Sequence, residues 1–285
     1  MENPSQAEYY SHLPLPAEPG LPVLGPTPNN PPWGIPAAVG VWFASVLFIL
    51  FVPVIFLLPY LASRPIQMGS EEMVEFAKTD PTSIFLQIIA VIPAHILTIL
   101  LAWLVVTNGR KYGFRETLGW RRGGLAWWHY GAILASFLLI AGVVSNYFPE
   151  QENDLIRMLH SSRFAVYLVA LVATFTAPLV EEVVYRGLIY SAFQRTLGVP
   201  AAFVIATLLF SIVHVPQYYP SYSTIFLLCL LSVVLTSIRV WTGNLLPCII
   251  LHTLFNGLQS IILILEPYLR SSDGQGETAF FHFLR

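Results

Sequence analysis

Long apolar runs separated by short polar segments form the main pattern between residues 35 and 265. A helix that crosses a bilayer needs about 20 consecutive apolar residues. Seven runs reach or approach this length and predict membrane-spanning helices at 35–62, 83–107, 125–148, 164–197, 201–215, 223–240 and 245–265. The fourth run is long enough to bend at Pro178 or to divide in two, so the pattern allows seven or eight spans. We therefore expect an all-α polytopic membrane protein.

The two ends of the chain lack this apolar pattern. Residues 1–34 contain nine Pro and no Lys or Arg, which predicts a disordered, extended N-terminal tail. At the other end, Glu266 followed by Pro267 is expected to end the last span, which leaves 267–285 as a C-terminal tail. Between the tails, residues 35–148 form a first group of predicted membrane helices and 164–266 a second.

Composition supports a membrane protein and excludes several other classes. Of the 285 residues, 55% are hydrophobic and only 11% are charged, whereas soluble domains carry about 25% charged residues. The formal charge of −2 provides no basic surface for a nucleic acid. Cys229 and Cys248 both lie inside apolar runs, which argues against a disulfide framework. The lipid bilayer is therefore the expected partner, and nucleic acid is not.

The charged loops predict an orientation. The loop between the second and third spans contains one acidic residue, Glu116, and five basic residues: Arg110, Lys111, Arg115, Arg121 and Arg122. The positive-inside rule places this loop in the cytoplasm. The preceding loop, 64–80, is rich in Asp and Glu, which fits the opposite side of the membrane. Seven spans would then place the N-terminus inside and the C-terminus outside, and an eighth span would reverse the side of the C-terminal end.

Three charged residues stand out because they lie inside the fourth apolar run. A charge at the bilayer centre costs about 2.5–3.5 kcal/mol on insertion scales, so such a residue suggests a functional site. Glu182 and Arg186 are four residues apart and share one helical face, in the order that favours an ion pair. Glu181 points about 100° away from that face. This spacing predicts a structural Glu182–Arg186 pair and leaves Glu181 free for chemistry.

Two further apolar runs contribute polar side chains of the kind that catalysis uses. His214 lies near the end of the fifth run, four residues after Phe210. His252 and Asn256 lie one turn apart on one face of the seventh. Imidazole can share a proton or bind a metal, a carboxylate can act as a base, and Asn can donate to an oxyanion. Together they could form a polar cavity within the membrane.

Other polar residues in the runs fit structural roles. His95 follows Pro93 and could satisfy backbone carbonyls freed by that proline. Arg239 and Trp241 at the end of the sixth run fit a snorkelling pair at the membrane surface.

Three motifs resemble those of the CPBP family, which includes type II CAAX-prenyl endopeptidases and the bacteriocin-processing or immunity (Abi) proteins. They are Glu-Glu-x-x-x-Arg at 181–186, Phe-x-x-x-His at 210–214 and His-x-x-x-Asn at 252–256. The resemblance covers roughly 164–260 and implies an all-helical intramembrane protease. It implies that Glu181 is the general base and that His214 helps to activate a water. It further implies oxyanion stabilisation by His252 and Asn256, with structural support from Glu182, Arg186 and Phe210.

Two chemistries fit these residues. In one, Glu181 acts as the base and no metal is needed. In the other, Glu181, His214 and His252 hold a zinc ion with water as the fourth ligand. We favour the metal-free mechanism, because Asn256 suits an oxyanion donor better than a zinc ligand.

The expected substrate is a peptide bond close to the membrane, in a membrane-associated protein or peptide that can carry a lipid. A non-catalytic scaffold or immunity protein is the main alternative, although a scaffold has no need of buried polar groups. A proton-coupled transporter is disfavoured, because no internal repeat is visible. We expect an integral membrane protein that is located in a prokaryotic inner membrane.

Overall fold

The computed structural model describes residues 25–63, 69–121 and 123–272. Within these ranges the chain is helical, apart from loops and one isolated bridge between Thr27 and Asn30. We number the helices in chain order: α1 Ile35–Ala62, α2 Ser70–Thr79, α3 Pro81–Val106, α4 Phe114–Leu118, α5 Trp127–Tyr147, α6 Asp154–Ser161, α7 Arg163–Leu197, α8 Val199–Tyr218, α9 Tyr222–Thr242 and α10 Leu246–Ser272.

Seven of these helices are long and apolar enough to cross a membrane: α1, α3, α5, α7, α8, α9 and the part of α10 up to Leu265. This confirms the prediction of an all-α polytopic membrane protein. The fourth apolar run is one continuous helix of 35 residues, α7, so the eight-span alternative does not apply to the described chain.

Helix α7 lies at the centre of the bundle. It packs against α1, α3, α8 and α10, while α8, α9 and α10 pack against one another in sequence. Helix α5 lies at the edge and contacts α9 and α10. The main hydrophobic core is built around the second half of α7, where Val183, Leu188 and Ile189 are fully buried. Part of the first motif and Phe210 of the second therefore lie within or beside this core.

Two π-helical turns interrupt α7, at Val172–Thr176 and Val183–Ile189. The first ends just before Pro178, which cannot donate a backbone hydrogen bond to the preceding turn. Such a turn admits one extra residue and rotates the side chains that follow it. Because Glu181 and Glu182 follow the first turn, that turn affects the directions in which these side chains point.

The N-terminal segment differs from its prediction over its last ten residues. Residues 1–24 lie outside the described residues. Residues 25–34 do not form a free tail, because Trp33 is buried and donates its indole N–H to the Leu188 carbonyl at 3.2 Å. At the other end, α10 continues through Pro267 to Ser272, so Pro267 does not end the helix. Residues 273–285 lie outside the described residues.

Candidate active site

Glu182 and Arg186 form a fully buried ion pair inside α7. Arg186 Nη1 donates to Glu182 Oε1 at 2.9 Å, and neither side chain is exposed. The rest of the guanidinium is satisfied by α9: Nη2 donates to the Ser232 hydroxyl at 2.8 Å and Nε to the Thr236 hydroxyl at 3.4 Å. A buried charge is stable only when it is paired and its remaining hydrogen bonds are made. The pair expected from helical spacing thus also ties α7 to α9.

Glu182 also holds His252 of α10. The same oxygen that accepts from Arg186 lies 2.8 Å from His252 Nδ1. Because a carboxylate only accepts hydrogen bonds, Nδ1 carries the proton and donates it. This leaves Nε2 of His252 facing Glu181, with 3.7 Å between Nε2 and Oε2. Glu182 therefore fixes the orientation of His252 as well as pairing with Arg186, a role that spacing within α7 did not indicate.

His214 faces Glu181 from the other side. Its Nδ1 donates to the Phe210 carbonyl one turn earlier at 2.6 Å, so its Nε2 is directed at Glu181. The distance from Nε2 to Glu181 Oε1 is 3.9 Å. Each carboxylate oxygen of Glu181 thus faces the Nε2 atom of a different histidine. The side chains of Glu181 and His214 are 22% and 17% exposed, whereas Glu182 is fully buried.

Phe210 lies between these polar groups. Its ring centroid is 4.6 Å from the guanidinium carbon of Arg186, a cation–π contact. It is also 4.7 Å from the His214 ring and 6.0 Å from the His252 ring. Since Phe210 is only 1% exposed, it separates the buried ion pair from the partly accessible Glu181 and His214.

Asn256 contacts the first π turn of α7. Its Nδ2 donates to the Ala173 carbonyl at 2.8 Å, which uses one of the two hydrogens of the amide. Nearby, the hydroxyls of Thr174 and Ser260 are 3.0 Å apart. Asn256 therefore joins α10 to the segment that precedes the glutamates and keeps one N–H available for another acceptor.

His95 of α3 also belongs to this region. Its Nδ1 lies 2.9 Å from the Thr176 hydroxyl, which itself donates to the Val172 carbonyl at 3.0 Å. Because the hydroxyl has a single proton, His95 must be the donor. The expectation that it satisfies carbonyls freed by Pro93 did not identify this contact. The sequence feature that could have indicated this contact is the position of an ionisable histidine inside an apolar span.

Arg239 was expected to snorkel at the membrane surface, and this expectation was wrong. Its side chain is 1% exposed, and its Nε donates to the Arg186 carbonyl at 3.3 Å. Trp241, by contrast, is 70% exposed at the end of the same helix. The position of Arg239 near the end of a span suggested snorkelling. The sequence could not show that its hydrogen-bond acceptors lie on elements distant in the chain, including Pro28 and α7.

The zinc alternative requires a different arrangement. Tetrahedral zinc with ligands at about 2.0–2.2 Å places neighbouring donor atoms about 3.4 Å apart. The two Glu181–histidine separations, 3.7 and 3.9 Å, are longer. Among the described residues, no group of three His, Cys, Asp or Glu side chains is arranged to hold a metal ion.

Comparison with known families assigns the class of this helical core. Residues 163–258 match the family described as type II CAAX prenyl endopeptidase Rce1-like. The match covers about a third of the chain, begins at the first residue of α7 and includes all three motifs. The match supports a CAAX-type intramembrane endopeptidase in general, and it confirms the resemblance to the CPBP family that was drawn from the motifs. Neither the curated proteins nor the solved structures that were compared gave a match.

Proposed function

We propose that the protein hydrolyses a peptide bond near the membrane by using Glu181 as a general base. One observation carries this proposal: the Glu181 carboxylate is partly accessible and lies between the Nε2 atoms of two histidines. The adjacent Glu182 is fully buried and is engaged by Arg186 and His252. Two neighbouring carboxylates in such different surroundings suit different roles.

Water activation follows from the distances around Glu181. Separations of 3.7 and 3.9 Å exceed the usual 2.7–3.2 Å of a direct hydrogen bond. A water placed between Glu181 and His214 can bond to both. Glu181 takes a proton from this water, and the oxygen attacks the carbonyl carbon of the scissile peptide bond. The proton then passes to the leaving nitrogen as the carbon–nitrogen bond breaks.

The tetrahedral intermediate carries a negative oxygen that needs hydrogen-bond donors. We assign this role to His252 and Asn256. Because His252 Nδ1 donates to Glu182, Nε2 can donate when the ring is an imidazolium, and the Glu182 carboxylate stabilises that charge. The free hydrogen of the Asn256 amide supplies the second donor. No metal takes part in this scheme.

The substrate is proposed to be a lipidated peptide or a membrane-associated protein. The bundle presents apolar side chains outward, and Glu181 lies near the middle of α7, so the scissile bond must come into the bundle. A lipid attached beside the scissile bond would hold a peptide at the bilayer. The family description names prenylated CAAX sequences, and we propose that class first. The proposed location is a prokaryotic inner membrane.

The direct test is hydrolysis by protein reconstituted in liposomes. The probe is a peptide with a farnesylated cysteine followed by three residues, and the control is the same peptide without the lipid. Mass spectrometry should detect cleavage after the cysteine for the wild type and none for Glu181→Gln. Equal product from both proteins would refute the assignment of Glu181. A folded wild type that cleaves neither peptide would instead favour the non-catalytic alternative.

Chelation separates the two chemistries. Incubation with 1,10-phenanthroline or EDTA should leave the rate of hydrolysis unchanged if Glu181 is the base without a metal. A rate that falls on chelation and returns when zinc is added would establish the zinc mechanism instead.

A further inference from the structure

We propose that Arg239 is a positioning residue for the active site and that residues 28–33, which we name the N-terminal strap, hold it in place. This inference rests on the function proposed above for Glu181 and His252. It assigns a role in the reaction to two parts of the chain that lie outside the three motifs.

Arg239 is a buried cation that is surrounded by neutral oxygens. Its Nη2 donates to the Pro28 carbonyl at 2.9 Å and to the Ser191 hydroxyl at 3.1 Å. Its Nη1 lies 3.3 Å from the Asn29 side-chain oxygen. Its guanidinium also lies over the Tyr190 ring, 5.0 Å from the centroid. A buried guanidinium depends on such acceptors, because their loss leaves its charge without solvation.

The strap supplies two of these acceptors and is itself fixed at further points. Trp33 donates to the Leu188 carbonyl, and Arg195 of α7 donates to the Pro31 carbonyl. Pro28 of the strap also lies close to Gly119, which adopts a left-handed φ of +69°. A Cβ at Gly119 would come within 2.7 Å of Pro28 Cγ, so a larger residue would displace the strap.

The strap and Arg239 act on the same part of α7. The Arg186 carbonyl, which accepts from Arg239, and the Leu188 carbonyl, which accepts from Trp33, both belong to the second π turn. In a π turn the hydrogen-bond register of the helix changes, so external donors can stabilise it. The strap therefore helps to fix the turn that begins directly after Glu182.

A continuous series of hydrogen bonds connects the strap to the catalytic groups. The Pro28 carbonyl accepts from Arg239, and Arg239 donates to the main chain of Arg186. The Arg186 side chain donates to Glu182, which accepts from His252. His252 Nε2 faces Glu181. A displacement of about 1 Å at reacting groups can cost about 10²-fold in rate, so small movements of this series are sufficient to affect catalysis.

Two pairs of variants test the proposal in the full-length protein. Trp33→Phe keeps the buried ring and removes the N–H donor, and Trp127→Phe at an exposed position is its matched control. Arg239→Gln removes the charge, whereas Arg239→Lys retains it with fewer donors. Hydrolysis of the farnesylated probe gives kcat and KM for each variant. Hydrogen–deuterium exchange followed by mass spectrometry reports on amides 183–189 without any substrate.

We expect kcat to fall about threefold in Trp33→Phe and about tenfold in Arg239→Gln, with KM changed by less than about twofold. Arg239→Lys should recover part of the loss, and Trp127→Phe should match the wild type. A loss of packing alone would not produce recovery by Lys together with a constant KM. Unchanged kcat in folded Trp33→Phe and Arg239→Gln would overturn the proposal.

The exchange measurement keeps this test separate from that of the proposed function. If the wild type does not cleave the probe, the proposed function fails, and exchange at amides 183–189 still decides whether the strap fixes the π turn. Faster exchange in Trp33→Phe than in Trp127→Phe supports the strap, and equal exchange refutes it. If Arg239→Gln does not fold, the Trp33→Phe comparison decides.

Discussion

At the residue scale, two adjacent carboxylates have opposite surroundings. Glu181 is partly accessible and faces two imidazoles at 3.7 and 3.9 Å. Glu182 is fully buried, and one of its oxygens accepts from both Arg186 and His252. Its second oxygen has no hydrogen-bond partner among the described residues. These surroundings support the proposed division of roles, with Glu181 as the base and Glu182 as the group that holds Arg186 and His252.

Glu181→Gln should abolish most hydrolysis without loss of stability. The amide keeps the size of the side chain but cannot accept a proton from water, and general bases contribute about 10²–10⁴-fold to rates. We expect kcat to fall by at least about 10²-fold, while the thermal unfolding midpoint in detergent stays near that of the wild type. A variant that retains wild-type kcat would exclude Glu181 as the base.

Glu182→Gln should damage the fold as well as the activity. Removal of one partner from a buried ion pair costs about 3–5 kcal/mol because it leaves the other charge uncompensated, here that of Arg186. We expect lower abundance in the membrane and a lower unfolding midpoint than for Glu181→Gln, the matched control at the neighbouring position. Equal stability of the two variants would contradict the division of roles between them.

At the element scale, two π turns of α7 flank the segment that carries both carboxylates. The first turn is fixed from two sides, by Asn256 of α10 through the Ala173 carbonyl and by His95 of α3 through the Thr176 hydroxyl. The His95 contact joins the predicted N-terminal group of helices to the motif-bearing group. The geometry of the site thus depends on α3, which lies outside the residues that match the family.

Thr176→Val tests the support of the first π turn. The change removes the hydroxyl that accepts from His95 and leaves a buried N–H without a partner, at a cost of about 1–3 kcal/mol. We expect a lower unfolding midpoint and a reduced kcat. Thr176→Ser, which retains the hydroxyl, should behave like the wild type. Wild-type behaviour of Thr176→Val together with losses in Thr176→Ser would mean that the methyl group, and not the hydrogen bond, supports the turn.

Hydrophobic pattern alone predicted the spans, because each crossing needs a long apolar run wherever its neighbours lie. Spacing alone placed Glu182 and Arg186 on one face. The docking of residues 25–34 could not be predicted in this way, since a Pro-rich segment has no apolar period. The donors that bind its carbonyls, Arg195 and Arg239, lie more than 160 residues away. The acceptors of Arg239 and the contact of Asn256 with Ala173 are likewise features of tertiary structure.

At the scale of the whole molecule, the loops on one side meet one another. The strap packs on Gly119, and the Gly119 carbonyl accepts from the Leu245 backbone N–H at 3.0 Å. The strap, the basic loop between α3 and α5, and the turn between α9 and α10 therefore lie together. These contacts agree with seven crossings, which place the start of α1, the basic loop and the turn between α9 and α10 on the same side of the membrane.

Cysteine labelling tests the orientation predicted by the basic loop. In a protein whose two native cysteines, both free, are replaced by serine, Lys111→Cys should react with a membrane-impermeant maleimide only from the cytoplasmic side. Glu71→Cys, in the acidic segment, should react only from the opposite side. Both positions are exposed. The reverse pattern in sealed vesicles would show that the basic loop faces outward.

The catalytic groups come from helices that are synthesised at different times. Glu181 and His214 lie on α7 and α8, whereas His252 and Asn256 lie on α10, which leaves the ribosome after the other described helices. Until α10 inserts, Glu182 has no imidazole to orient and the oxyanion has no donors from α10. Under the proposed mechanism a nascent chain therefore has no working site, and hydrolysis is expected only once the bundle has closed. Assembly itself gives the protection that other proteases obtain from an inhibitory pro-segment.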